Sequence, residues 1–160
     1  MQFIASRLNR QDLYKLMIGC VVPRPIAWVS TVNAAGIANA APFSFFTVVS
    51  SKPPMLGFTV LPDTEGKKGK KDTLVNIEET GEFVINIADL TLAPRLAQSG
   101  IPYEYGVDEF EQCGMTKETS SFVSAPRIKE APISMECVLR KTVVLGEEGD
   151  TFVIGEVLAF

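Results

Sequence analysis

Residues 26–41 read Ile-Ala-Trp-Val-Ser-Thr-Val-Asn-Ala-Ala-Gly-Ile-Ala-Asn-Ala-Ala. Ile26 to Val32 is rich in β-branched and aromatic residues. Asn33 to Gly36 carries turn chemistry, and Ile37 to Ala41 returns, so the stretch is a β-hairpin. Working outward, Phe43 to Ser50 reads as a third strand, broken by Lys52-Pro53-Pro54 because neither proline can donate to a ladder. Met55 to Val60 is a fourth. Phe83 to Ala88 is a fifth, and its unbroken apolar run predicts burial on both faces. Ile133 to Leu145 alternates apolar and polar residues, Gly146 to Asp150 turns, and Thr151 to Phe160 comes back. The sequence stops on a strand pattern, so the last strand is expected to be incomplete or the natural protein longer.

Helices are few and short in this reading. Thr73 to Thr80 is one, with Asp72 as its cap and Gly81 at the left-handed position after its end. Asp89 caps a second that runs to Ser99, with Pro94 tolerated near its first turn. Asp108 to Cys113 is a third, closed by Gly114. Many short strands with brief helical excursions predict a mainly β fold, a closed or nearly closed antiparallel barrel. At ~100–200 residues per domain, 1–160 is a single domain.

The composition narrows the chemistry. The chain has 160 residues, a net charge of −4, 46% hydrophobic residues, three cysteines and no histidine. Without histidine there is no Ser-His-Asp or Cys-His triad and no imidazole metal site. The acidic balance argues against a nucleic-acid surface. No apolar run approaches the ~20 residues of a membrane helix, and the first residues do not resemble a signal peptide. Cys20, Cys113 and Cys137 are odd in number and widely spaced, which fits free thiols in a cytoplasmic protein. Cys20 and Cys137 read as packing residues and Cys113 as the exposed one. The carboxylates form no specific pair.

Three segments stand out. Lys67, Lys68, Lys70 and Lys71 crowd a loop just before the Asp72-Thr73 helix start, where unpaired N–H groups favour a phosphate; a solvated basic loop is the bland alternative. In Ala41-Pro42-Phe43-Ser44-Phe45-Phe46 the three phenylalanines cannot share one strand face. One face therefore covers a planar ligand or a second subunit, or the strand is buried on both sides. Pro23 and Pro25 hold Arg24 extended, ready for a phosphate or a carboxylate. Trp28 reads as core more readily than as a stacking platform.

The run Arg24 to Val32, the Gly36 turn and Asn39 to Phe46 resemble the flavin reductase-like, FMN-binding split-barrel proteins, the flavoredoxin-type branch in particular. The similarity continues through Ser50-Ser51-Lys52-Pro53-Pro54, Lys71-Asp72-Thr73, Asn76-Ile77, Gly81 to Asn86 and Gly155-Glu156-Val157. It implies a six-stranded Greek-key split barrel, a homodimer, and FMN near the subunit interface. Ser30, Thr31 and the Ala41, Pro42, Phe43, Ser44, Phe45, Phe46 segment would meet the isoalloxazine, largely through backbone groups. Lys71, Asp72 and Thr73 would hold the phosphate, with Lys67, Lys68 and Lys70 competing for that role and Arg24 and Ser50 as weaker candidates. No side chain would be catalytic, because flavin N5 carries the chemistry; Thr31 or Ser44 would donate near N5 or O4. NADH or NADPH would be a transient donor, since there is no Gly-x-Gly-x-x-Gly. The alternatives are an FMN-binding electron-transfer protein without NAD(P)H activity, and a flavin-free dimeric interaction module.

Overall fold

The computed structural model describes residues 2–62, 69–104 and 106–160. A helix α1 (Arg10–Cys20) is followed by strands β1 (Ala27–Val32), β2 (Ala38–Phe43), β3 (Phe46–Ser51) and β4 (Pro54–Val60). Then come α2 (Asp72–Thr80), β5 (Glu82–Ile87), α3 (Ala93–Gln98), α4 (Glu109–Gln112), a two-residue pair β6 (Lys117–Glu118) and β7 (Arg127–Ile128), and the long hairpin β8 (Ile133–Leu145) and β9 (Asp150–Ala159). The main sheet is antiparallel with order β2-β1-β5-β8-β9-β4-β3.

That order forces a curl. β2 and β3 lie at opposite edges of the sheet, yet only Ser44 and Phe45 separate them. Seven strands laid flat would put the edges roughly 29 Å apart, whereas Phe43 to Phe46 can span at most about 11 Å. The sheet must roll until its edges meet. The Thr59 N–H donates to the Phe45 carbonyl at 2.9 Å, but no ladder joins β2 to β3, so the barrel stays split. The expectation of six strands is corrected to seven, because β2 and β3 each pair on one side only. The strand expected from Phe43 to Ser50 instead starts at Phe46, because β2 runs on to Phe43 and Ser44-Phe45 turn the corner.

The roll encloses one core. Ala27 and Val29 of β1, Phe58 of β4, Phe83 and Ile85 of β5, Cys137 of β8 and Val153 of β9 are all buried in it, and Leu74 and Ile77 of α2 plug it. Phe43, Phe58 and Phe83 run through it as a chain of rings, with centroids 5.1 Å and 5.7 Å apart. The other face of β1 and β2 carries Trp28, Ala38 and Ala40 against Leu92, Phe110, Cys113 and Met115. Trp28 is therefore core, and its indole N–H donates to Ser99 Oγ at 2.9 Å.

The local readings hold where a single residue type enforces them. Gly36 (φ 82°) closes the first hairpin, its N–H donating to the Asn33 carbonyl. Gly81 ends α2 in the left-handed conformation. Asp89 and Asp108 accept from the N–H groups of the turns that follow them. Asp72 is not a cap: it is the first residue of α2, and the N-cap is Lys71. Helix α1 was not foreseen; Asn9 caps it, but none of its own residues is buried. Cys20, at its end, is therefore exposed, and Cys113, packed beside Phe110, is buried, the reverse of the expectation. No described helix is long and apolar enough to cross a membrane.

Candidate functional site

The start of α2 faces the edge of the roll. Lys71 Nζ lies 5.9 Å from the centroid of the Phe43 ring. The two halves of the expected site, the lysine turn and the 41–46 segment, are thus neighbours although about 25 residues separate them in sequence. No side chain caps α2, and an uncapped helix start offers N–H groups and partial positive charge to an anion. Lys70 is committed to Glu78, its Nζ 2.7 Å from Oε2. Lys71 has no ion pair with a described residue. Lys67 and Lys68 lie outside the described residues. This donor set, an unengaged ammonium and an uncapped helix start beside an aromatic strand end, suits an anionic ligand with a planar ring.

The remaining expected residues divide by what their side chains already do. The Arg24 guanidinium donates to the carbonyl of Val21 at 2.9 Å and to that of Ile18, so it caps α1. Its Nε also reaches Ser44 Oγ at 3.4 Å, fixing the corner between β2 and β3. No described carboxylate pairs with Arg24. Ser44 accepts that bond and keeps its own hydrogen. Phe45 turns towards Tyr14 of α1, with ring centroids 6.5 Å apart. Phe46 and Ala41 lean on the barrel core, Pro42 is half-buried, and Ser50 lies on β3 beside an irregularity in its pairing with β4. Ser30 is buried, donates to the Pro126 carbonyl at 2.6 Å and accepts from Asn86 at 3.0 Å.

Thr31 and Thr73 are also buried. They belong to a polar network that the sequence reading missed. Thr73 Oγ1 donates to Asn39 Oδ1 at 2.8 Å, and Thr31 Oγ1 points at the same oxygen from 3.4 Å. Asn76 Nδ2 donates to Thr31 Oγ1 at 2.9 Å. Asn39 Nδ2 donates to Glu109 Oε1 at 2.8 Å, and the Ala40 N–H donates to Glu109 Oε2 at 3.1 Å. Glu109 is only 6% exposed. Burial pushes its carboxyl up to about 7, against the hydrogen bond from Ala40, and the negative charge of Asp72 pushes it the same way. The available signal was the pair of asparagines, Asn39 and Asn76, set among apolar residues; the distant Glu109 offered none. Elsewhere, burial pushes the Cys137 thiol up to about 12, which makes it a packing group and not a nucleophile.

A cleft of about 270 Å³ borders Lys70 and Lys71 and is walled by Val60, Leu61, Leu74 and Thr151. Glu78 and Glu148 also line it, and no residue of the 41–46 segment does.

Residues 18–160 match the sequence profile of the flavin reductase like domain. An uncharacterised protein of Aquifex aeolicus (strain VF5) is 46% identical over 143 residues, which are 89% of this chain and 72% of that protein. Among solved structures, nitrilotriacetate monooxygenase component B from Bacillus cereus superposes with a TM-score of 0.94 at 32% identity, over 99% of this chain and 79% of that one. The 2-nitrobenzoate 2-nitroreductase NbaA of Pseudomonas fluorescens superposes with a TM-score of 0.88 at 34% identity, over 99% and 75%.

Proposed function

From the premise that this chain belongs to the flavin reductase like domain family, we propose that it binds FMN and works as an FMN-dependent NAD(P)H:flavin oxidoreductase. The observation that carries the reading is the Lys71 ammonium, paired with no described carboxylate, at the start of α2 and 5.9 Å from the Phe43 ring. Lys71 neutralises the phosphate, and the first turn of α2 adds N–H donors. Lys70, held by Glu78, is secondary. The backbone of Ala41 to Phe46 borders the ring. Arg24 serves by fixing the Ser44 corner, and Ser44, with its hydrogen unspent, donates to the flavin edge. Thr31 and Ser30 shape the wall from inside.

When bound, the flavin supplies the redox chemistry: N5 accepts a hydride from NADH or NADPH, and the electrons go on to free flavin or another acceptor. The chain's task is to hold one edge by electrostatics and leave one face open. The acceptor differs between the two similar proteins, a nitroreductase and a monooxygenase component, which supports a scaffold that passes electrons to more than one kind of partner.

Flavin binding by the wild type and by Lys71→Ala tests the phosphate site. A charge-assisted contact of about 1.5–3 kcal/mol predicts FMN affinity falling roughly ten- to hundredfold, with riboflavin affinity unchanged. Equal loss for both flavins sinks the assignment. Anaerobic titration with NADH and NADPH then bleaches the bound flavin; a flavin that binds but stays oxidised with both makes the protein an electron carrier instead.

A homodimer is part of the proposal. α1, the turn after it and β3 leave apolar side chains uncovered, among them Met17 (62% exposed), Val22 (66%) and Val48 (71%). A second copy laid on this face covers them and completes the flavin wall. Sedimentation velocity at micromolar concentration is expected to give twice the 17.4 kDa chain mass; a single monomeric boundary removes this part. The unpaired thiols of Cys20, Cys113 and Cys137 suit a cytoplasmic location.

A further inference from the structure

We propose that Glu109 is a positioning residue that sets the direction of the hydrogens at the start of α2, so that an anion held there and a proton on Glu109 are taken up together. This rests on the reading that the flavin phosphate sits at that turn.

The argument is one of donors and acceptors. An ionised carboxylate can only accept. Glu109 therefore requires Asn39 to present its amide nitrogen, at 2.8 Å, and the Asn39 oxygen is left for α2. That oxygen takes the hydrogen of Thr73 at 2.8 Å. With Glu109 charged, the hydroxyl in the first turn of α2 is spent on the protein interior and has nothing to donate to a phosphate.

Protonation reverses the chain. A carboxyl that has gained a proton from solvent must donate from one oxygen, and the Asn39 nitrogen cannot accept. The amide turns over, offering its oxygen to Glu109 and its nitrogen to Thr73. Thr73 then accepts from Asn39, and its own hydrogen is released towards the turn. The reversal also gives up the 3.4 Å bond from Thr31 to the Asn39 oxygen, and the buried Asn76 Oδ1, without a partner among the described residues, stands open as an acceptor in the same network.

The groups around Glu109 favour the coupling. Asp72 on α2 faces it with negative charge, and a phosphate at the same turn acts in the same sense. Tyr103 and Cys113 are pushed above their ordinary values, chiefly by burial, and so stay neutral near pH 7. Asp108, one residue earlier, is paired with Lys117 of β6. The carboxyl's position near neutrality makes a proton available at modest cost.

Calorimetry of FMN and riboflavin binding in two buffers of different ionisation heat tests this, in the wild type and in Glu109→Gln. The glutamine imitates the protonated acid by being neutral and pairing a donor group with an acceptor oxygen. The wild type is expected to take up a few tenths of a proton more per FMN than the variant, with no difference for riboflavin. From pH 6 to 8.5 its FMN affinity should fall about fivefold relative to the variant. The variant also carries the phosphate's own titration, near pH ~6, as the reference. Identical proton counts and pH profiles, with FMN still preferred over riboflavin, overturn the inference alone. FMN bound no more tightly than riboflavin overturns the phosphate reading and this inference with it. Should Glu109→Gln fail to fold, the wild-type count for FMN minus riboflavin decides. Measured at about pH 8, where the free phosphate is already its dianion and has almost no proton to release, net uptake supports coupling and zero or net release overturns it.

Discussion

Replacing Asn86 with leucine is expected to cost the fold about 4 kcal/mol, read as a lowered urea midpoint with an unchanged slope. Asn86 is fully buried on β5 and makes four hydrogen bonds. Its amide nitrogen donates to the Trp28 carbonyl and to Ser30 Oγ, both at 3.0 Å. Its oxygen accepts from the Ile128 N–H at 3.0 Å and from Ser134 Oγ at 2.8 Å. One side chain thus ties β1, β7 and β8 to β5. Leucine has similar volume but no polar atom. The Trp28 carbonyl, the Ile128 N–H and the Ser134 hydroxyl would each lose this partner. An orphaned buried group costs about 1–3 kcal/mol, and a domain has only about 5–15 in all. A loss below ~1 kcal/mol would mean that water replaces the amide, and the junction would not be structural.

Gly155→Ala is expected to lose about 3 kcal/mol, for a steric reason. Gly155 lies on β9 between Leu56 of β4 and Leu139 of β8. A Cβ there would stand 2.2 Å from Cζ of Phe83 and 2.8 Å from its Cε1. Phe83 has no exposed surface to retreat to and packs edge-on against Phe58, with an interplanar angle of 73°. Overpacking a tight core typically costs 1–3 kcal/mol or somewhat more, and this site is at the upper end because the three atoms nearest the added methyl all belong to the buried Phe83 ring. Shortening the obstacle is the control: Gly155→Ala with Phe83→Leu should recover part of the loss, since the added methyl then has room. A double variant no more stable than the sum of its parts would show that backbone freedom, not the Phe83 ring, is what the glycine provides.

Both residues stood in the motifs that suggested the family, yet neither touches the proposed ligand site. Motif residues therefore fall into two groups that sequence does not separate. Lys71 and Ser44 face outwards with capacity unspent, whereas Ser30, Thr31 and Thr73 are consumed inside. A hydroxyl in a strand reads the same in either case, because its partner comes from residues far along the chain: Pro126 for Ser30, Asn39 for Thr73. The lysine turn could be proposed as an anion site from sequence because a helix start and its flanking cations are local features. Choosing Lys71 over Lys70 needed Glu78, eight residues after Lys70.

What the sequence determined alone was whatever one or a few neighbouring residues enforce. Those are the Gly36 hairpin, the Gly81 stop, the Asp89 cap, the absence of imidazole chemistry, and the strand-rich class itself. Only the tertiary structure decided the rest. It placed β2 and β3 at opposite edges across a two-residue corner, and so rolled the sheet without closing it. It buried Cys113 and exposed Cys20, and it set Glu109 against Asn39 across 70 positions of sequence. The reason is physical. Turn and cap energies depend on backbone angles and donors within a few residues, and these are written locally. Edge order, burial and the partner of a buried carboxylate depend on which distant surfaces meet, and only the closed fold sets that.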